Sequence, residues 1–399
     1  MSDPRAESHR PGDAAEVAAI VREAAAGAQP LEIVGGGTKR GYGRPAQTQA
    51  SLSTELLTGI TLYEPSEMVI SARAGTPVAE VEAALEAENQ RLVFEPPRLD
   101  SLYGSAGEPT VGALAAMNLS GPARVHSGAA RDSLIGVAFV NGKGELIRSG
   151  GRVMKNVTGY DLAKLQAGAL GTLGVLTEVT FKVLPKTETE LTLQFEELDD
   201  ARAVACLSAA LRSPYEATGA AHLPAEGDRA ARTIVRIEGF PGQMKHRGTM
   251  LAQALKAFGR PAELRDEKSR SLWRDVREVA PFLSGAETAL WRASLPSTAA
   301  AAFVGSLPEG LVRRHVYDWG GALVWLETDP AGDAGAAAIR GALPGQGAHA
   351  TLQRGPAELR ARIDTFQPLP ETLMRLNRGL KAAFDPAGIL NPGRMHAGL

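Results

Sequence analysis

The chain has a single cysteine, Cys206, in 399 residues. One thiol cannot form an internal disulfide. Nor can it hold an iron–sulfur cluster, which takes about four thiolates. Cys206 sits in an Ala/Leu-rich helical pattern, where a thiol behaves as a small buried hydrophobe. An excess of one charge is also lacking. Lys plus Arg number 43 and Asp plus Glu 45, a net charge of -2. The basic footprint of a nucleic-acid-binding protein is therefore missing. Long hydrophobic runs are absent too. The most apolar stretch, near Thr298 to Leu307, is far short of the roughly 20 residues needed to cross a bilayer. Met1 to Asp13 is charged, contains proline and has no apolar leader core. A cytoplasmic protein is expected, with any association at the inner membrane coming through a partner chain. Of the seven histidines, no two are spaced as HxH or HxxxH.

Glycine, by contrast, is plentiful. The most informative stretch is Gly159 to Glu178, GYDLAKLQAGALGTLGVLTE. Its four glycines are interleaved with apolar residues, and β-branched residues follow at once. Such a segment lets backbone approach a flat ligand closely and then continues as a strand. The length exceeds one ordinary core, so two or more domains are expected.

Asp13 is placed to cap a helix running through Val17, Ile20 and Val21 to about Ala26. Leu31 to Val34 reads as a short strand and Tyr63 to Ala74 as a longer one. Thr76-Pro77 starts a second helix, with Thr as N-cap and Pro in the first turn. Ala113 to Asn118 is a small-residue helix. Ile135 to Val140 and Glu145 to Arg148 read as a hairpin around Asn141-Gly142-Lys143-Gly144, and Val175 to Leu184 as a strand. After Pro185 the pattern predicts a strand over Thr187 to Phe195 and a helix over Asp199 to Leu211. A strand over Thr233 to Glu238 and a helix over Gly248 to Phe258 follow. That alternation suggests a small α+β domain. Gly332 to Gly347 reads as a helix with loose flanks, and Glu371 to Phe384 as a final helix.

Five short blocks are candidates for a site. In Gly35-Gly36-Gly37-Thr38, consecutive glycines after a strand let successive N–H groups turn inward as an anion nest, which suits a pyrophosphate. A flexible turn is the plainer alternative. Gly41 to Ala46 formally fits GxGxxA, but Pro45 lies inside it and no helix follows, so a Rossmann reading fails. Pro109 to Pro122, PTVGALAAMNLSGP, is dense in small residues that either press against a ring system or pack tightly on a sheet. Ser127 to Gly136 sets Arg131 and Asp132 near Gly128 ahead of a strand, where the alternative is a surface ion pair. The fourth block is Gly159 to Glu178, and the fifth is Asn391-Pro392-Gly393.

In order, these blocks resemble the GGGT, PTxGGxxATNAGG, YGxxRDxxLG, GYDLxxLxxGxxGTLGVITE and DPxGILNPGR elements of flavoenzymes in the vanillyl-alcohol-oxidase superfamily, the PCMH-type FAD-binding proteins. The resemblance covers about Leu31 to Pro185 and Glu371 to Arg394. It implies an α+β fold with a two-subdomain FAD-binding domain over residues 1–186. A reduced α+β cap would span 187–370, and a C-terminal segment, 371–399, would pack back on the FAD domain. By position, it implies that Gly35, Gly36, Gly37 and Thr38 hold the pyrophosphate. Pro109, Thr110, Gly112, Asn118 and Ser120 would line the ribityl and flavin region, and Gly128, Arg131 and Asp132 would continue that wall. Gly171, Gly174 and Val175 would press on the cofactor, and Asn391 would approach the ring. Covalent members present a His near the first loop or a Cys in the second region. Here Thr38 stands at the first, and the second has His126, read as a polar loop residue, but no Cys. Noncovalent FAD is implied.

Related 2-hydroxyacid dehydrogenases carry HxGDGNxH in the cap, with histidines serving a metal or the substrate hydroxyl. The counterpart here, Val316 to Trp325, VYDWGGALVW, keeps a glycine turn between strands but has no imidazole pair; His315 precedes it alone. No catalytic residue and no metal site are assigned. The combination is similar to the E subunits of bacterial glycolate oxidase (glycolate dehydrogenase) complexes, in which a D-type flavoprotein subunit carries the substrate motif and another subunit the iron–sulfur clusters. It implies an FAD-binding oxidoreductase subunit of a complex that takes glycolate to glyoxylate and passes electrons to a partner chain. One alternative is a free-standing FAD-dependent oxidoreductase for another 2-hydroxy acid or alcohol, using Tyr160, Tyr317, Asp318 or an Arg. Another is a structural subunit with a vestigial flavin site. The glycines argue against the latter, since each costs backbone entropy. Trp273, Trp291 and Trp319 suit either a partner surface or a small core.

The purified protein should be yellow, and acid precipitation should release free FAD into the supernatant, read by fluorescence. Flavin retained in the pellet would show a covalent link.

Overall fold

The computed structural model describes residues 7–151, 159–285, 287–345 and 347–399. Residues 1–6, the start of the segment read above as lacking a leader core, lie outside the described residues. The chain forms two compact units. One comprises Met1–Leu119, Ala129–Pro185 and Pro368–Leu399; the other comprises Ser120–Gly128 and Lys186–Gln367. The segment Ser120–Gly128 thus groups with the second unit, although the expected boundary at 186 leaves it in the first domain.

In the first unit, the Asp13 carboxylate accepts from the N–H groups of Ala15 and Glu16 and caps the Ala14–Ala26 helix. That helix buries Val17, Val21 and Ala24 against Leu31, Leu52, Val140 and Leu390. Leu31–Val34 pairs with Ala50–Ser53 in a three-stranded parallel sheet completed by Glu7–His9. A five-stranded antiparallel sheet runs, in spatial order, Ile60–Glu64, Val69–Arg73, Val175–Lys182, Leu134–Val140 and Leu146–Gly150. The Val78–Ala87 and Val111–Met117 helices pack on it through Val78, Val81, Leu85, Val111 and Leu114.

Two readings of this region need correction. Tyr63 to Ala74 is not one strand. Pro65 opens a 3-10 turn over Pro65–Glu67 and Met68 takes φ +55, so the chain doubles back as a hairpin. Thr76 does not cap the second helix, because Pro77 is its N-cap. The Thr76 hydroxyl instead donates to Arg73 O at 2.7 Å and accepts from Gly59 N–H at 3.0 Å.

The second unit is built on one eight-stranded antiparallel sheet. Its spatial order is Ala262–Arg265, Thr189–Glu196, Arg232–Gly239, Gly219–Leu223, Val312–Asp318, Leu323–Thr328, Ala289–Ser294 and His349–Arg354. The Asp200–Arg212 helix, capped by Asp199, and the Pro241–Ala254 helix pack against Leu191, Leu193, Val235 and Ile237. The latter starts well before the expected Gly248 because Pro241 is tolerated in a first turn. The helix expected over Gly332 to Gly347 shrinks to Ala336–Gly341. Cys206 is fully buried, and burial pushes its thiol up to about 12. Trp291 is fully buried, and Trp273 and Trp319 are buried as well, so all three are core residues. Among the described residues, no helix is long and apolar enough to cross a membrane.

The C-terminal part of the first unit is fastened by a buried ammonium. Lys381, on the Glu371–Phe384 helix, donates from Nζ to Thr172 O at 2.9 Å, Asp385 Oδ2 at 2.7 Å and Leu390 O at 2.6 Å. All three ammonium hydrogens are thereby used. Burial pulls the Lys381 pKa down, and Asp385 opposes that shift. The buried Asp385 carboxylate also accepts from Ile389 N–H and Leu390 N–H. The chain is thereby turned so that Leu31 N–H donates to Ile389 O at 2.8 Å and Asn391 N–H to Leu31 O at 3.0 Å. Gly142 leaves the necessary room, since a Cβ there would stand 2.3 Å from Asp385 Oδ1.

Asp385→Ala should strand the Lys381 ammonium and cost about 3–5 kcal/mol, the usual penalty for removing one partner of a buried ion pair. Urea unfolding measures it, and a midpoint equal to wild type would show that water replaces the carboxylate at no cost.

Candidate functional site

The Leu31–Val34 strand runs directly into Gly35-Gly36-Gly37-Thr38, and these four residues line a cleft with about 800 Å³ of empty space. Gly112, Ala113, Ala116 and Met117 of the Val111–Met117 helix form a second wall. Gln166, Leu170, Gly171, Gly174 and Leu176 supply a third, and Asn391 and Arg394 come from the C-terminal part. All of these belong to the first unit.

The three glycines of the loop serve different ends. A Cβ at Gly35 would stand 2.4 Å from Thr110 Oγ1, and one at Gly36 would stand 1.9 Å from the Glu108 carbonyl oxygen. Neither takes a positive φ. They are glycines because the loop lies against the Thr110 side chain and the Glu108 backbone. Gly37 takes φ +73, and a Cβ there would meet nothing within 4 Å. Only Gly37 therefore has the left-handed conformation that helps form an anion nest. Thr38 follows, buried, and its Oγ1 accepts from Lys39 Nζ at 3.0 Å. Lys39, Arg40 and Arg394 line the same cleft. Arg40 also pairs with Glu32 at 2.5 Å, and Arg394 Nη2 donates to the Lys39 and Arg40 carbonyls at 3.3 Å. These cations were missed in the sequence. The signal was there: Lys39 and Arg40 directly follow the glycine loop, and Arg394 falls in the DPxGILNPGR match.

The remaining expected residues divide. Gly112, Gly171, Gly174 and Asn391 line the cleft. A Cβ at Gly112 would lie 2.6 Å from Ala74 Cβ, so this glycine brings helix and strand together. Gly171 takes φ +71. Asn391 is engaged in holding backbone. Its Oδ1 accepts from Ile33 N–H at 2.8 Å, and its Nδ2 donates to Leu170 O at 2.7 Å. Pro109, Thr110, Asn118, Arg131, Asp132 and Val175 do not line the cleft. Thr110 caps the Val111–Met117 helix, and Pro109 O accepts from Val78 N–H at 2.8 Å. Asn118 Oδ1 accepts from Arg131 N–H at 2.9 Å, and Asp132 Oδ2 from Ala129 N–H at 2.8 Å. The side chains of Arg131 and Asp132 are exposed, whereas Val175 is fully buried in its strand. Ser120, His126 and Gly128 lie in the second unit. Gln166, absent from the expected set, is 1 % exposed, lines the cleft, and leaves Nε2 without a hydrogen-bond partner among the described residues.

The cleft thus joins a glycine loop, three cations, apolar walls at Ala116, Met117, Leu170 and Leu176, and a buried glutamine. These residues fit a cofactor that carries a diphosphate and planar rings.

The second unit contains a polar cluster that histidine spacing does not reveal. Asp200 lies 2.7 Å from His315 Nε2, 2.7 Å from the Tyr317 hydroxyl that donates to it, and 3.4 Å from His222 Nε2. His222 pairs with Tyr317 across adjacent strands, and its Nδ1 meets Thr233 Oγ1 at 2.9 Å. Burial pushes the Asp200 carboxyl up, but contacts with His222, His315 and Tyr317 outweigh it and hold the group well below the usual carboxylate range. Burial, then the Asp200 charge, push the Tyr317 hydroxyl up. Among the described residues, no group of three or more His, Cys, Asp or Glu side chains could hold a metal ion. Tyr160 is 92 % exposed, and Asp318 accepts from Trp319 N–H at 2.7 Å.

Residues 9–150 match the family described as FAD binding domain. The whole chain also superposes on a substrate-bound p-cresol methylhydroxylase with a TM-score of 0.73 at 15% identity, covering 100% of this chain and 90% of that one. The family match makes this an FAD-binding flavoprotein. More specifically, the chain belongs to the family of glycolate oxidase subunit GlcE: it is 37% identical to that subunit of Escherichia coli (strain K12) over 95% of this chain and 96% of the relative. It is also 38% identical to glycolate oxidase subunit GlcD of Bacillus subtilis (strain 168), over 29% of this chain and 24% of that protein.

The two glycine environments predict different outcomes on substitution. Gly36→Ala should lower the apo melting temperature, because the Glu108 backbone must move. Gly37→Ala carries only left-handed strain of about 1–2 kcal/mol and should leave the fold while weakening FAD uptake. Parallel melts and FAD titrations check this, and a Gly36→Ala protein as stable as wild type would show that the Glu108 contact yields freely.

Proposed function

We propose that this protein is the FAD-binding subunit of a multisubunit complex that oxidises glycolate to glyoxylate and passes the electrons to a partner chain. The end-to-end likeness to GlcE, over 95% of this chain and 96% of the relative, carries this reading. In it, the backbone of Gly35, Gly36, Gly37 and Thr38 faces the pyrophosphate, with Lys39, Arg40 and Arg394 balancing its charge. Gly112, Gly171 and Gly174 lie beside the rings, Gly112 and Gly174 as glycines that make room for Ala74 and Phe139. Asn391, Thr110 and Asn118 act through the loops and helix ends they hold. FAD, when bound, supplies a two-electron acceptor.

The partners are a D-type flavoprotein subunit that meets the substrate and an iron–sulfur subunit. The local likeness to GlcD supports a shared flavin domain. The single cysteine supports clusters carried elsewhere. Any membrane association comes through those partners. Within this chain the Asp200 carboxylate, held well below the usual carboxylate range, is occupied by His315 and Tyr317. That favours substrate oxidation in the partner over a free-standing dehydrogenase.

The isolated, flavin-loaded chain should therefore oxidise glycolate or D-lactate poorly with an artificial acceptor. A positioned base is worth roughly a hundred- to ten-thousandfold in rate, so addition of the D-type and iron–sulfur subunits should raise turnover by a factor in that range. Robust steady-state turnover by the chain alone would promote the free-standing enzyme.

A further inference from the structure

We propose that Gln166 donates a hydrogen bond from its side-chain amide to a ring atom of bound FAD, a role that rests on the flavin reading above. Gln166 ends the Leu162–Gln166 helix and is 1 % exposed, yet its Nε2 has no acceptor among the described residues. A buried donor left unsatisfied is costly, and a native fold that keeps one usually supplies a partner for it. Here Gln166 is one of the residues that line the cleft, so the missing acceptor can come from a ligand.

Position suggests which part of the ligand. Gly35 abuts Thr110 and Ala113, so the nest loop lies along the N-terminal half of the Val111–Met117 helix. Gly168 N–H donates to Ala115 O at 3.3 Å and Leu170 N–H to Ala116 O at 2.9 Å. The block that carries Gln166 therefore lies along the other half, beside Ala116, Met117 and Leu170. The cations Lys39 and Arg40 belong to the loop half. An uncharged donor among apolar side chains suits a carbonyl oxygen or unprotonated nitrogen of a flat heterocycle, whereas a phosphate is better served by nest and cations. Both the isoalloxazine and the adenine of FAD offer such acceptors. The family block GYDLxxLxxGxxGTLGVITE leaves this position open, so the resemblance does not assign it.

Gln166→Met keeps length and removes the donor. The apo protein should melt at or above the wild-type temperature, because a buried orphan donor is gone. FAD affinity should fall about tenfold, the loss expected for one neutral hydrogen bond. A residue that only packs would not lower affinity while sparing the apo fold. If the acceptor is on the isoalloxazine, the visible flavin bands and the reduction potential shift as well. If it is on adenine, they stay and ADP competes less well for the site. Unchanged FAD affinity and spectrum in the variant would overturn the proposal alone. A wild-type protein that takes up no FAD would overturn the cofactor reading and this proposal with it. Should Gln166→Met not fold, Gln166→Glu, which keeps the shape but offers no donor when ionised, must also lose affinity, and unchanged binding there is equally fatal.

Discussion

Lys381 sets the shape of the first unit's cleft from behind its wall. A desolvated ammonium is tolerated only when its hydrogens all find acceptors and its charge finds a partner. Thr172 O, Asp385 Oδ2 and Leu390 O meet that demand together, so none of the three can drift independently. One residue past Leu390, the Asn391 amide reaches Ile33 on one wall and Leu170 on another. Ile33 and Leu170 both line the cleft. Its width is thus fixed by backbone that buried polar side chains hold in place.

Glycine motifs of this kind invite the reading that each glycine touches the ligand. Here several answer to the protein itself. Gly36 makes room for Glu108, Gly112 for Ala74 and Gly142 for Asp385, each at a distance no Cβ could share. Gly37 and Gly171 answer instead to a positive φ. The motif identifies the family as much through its packing as through its ligand.

What the sequence revealed was local, and what it hid was mostly contact between distant segments. The Asp13 cap, the Leu31–Val34 strand and the Glu371–Phe384 helix each rest on a signal within a few residues, and each was legible. The hairpin at Pro65 was overlooked although proline announced it. The meeting of His222 and His315 on Asp200 was illegible, because strand order in the second sheet creates it. Asn391 was expected at the ring and lines the cleft, but its role in joining Ile33 to Leu170 depends on a fold-back that spacing does not report. Gln166 carried no signal, since a glutamine in an apolar stretch reads as exposed until its burial is seen.

The order of the segments along the chain has a consequence for biosynthesis. Asn391 and Leu170, which clasp the cleft, are 221 residues apart, and most of the second unit is encoded between them. At roughly 5–20 residues per second, a ribosome needs roughly ten to forty seconds to deliver Asn391 after Leu170. Throughout that interval the glycine loop, Lys39, Arg40 and the glycine-rich block exist without the segment that closes them. The cleft is therefore completed only after most of the second unit has been made, when the Glu371–Phe384 helix and Asn391 arrive.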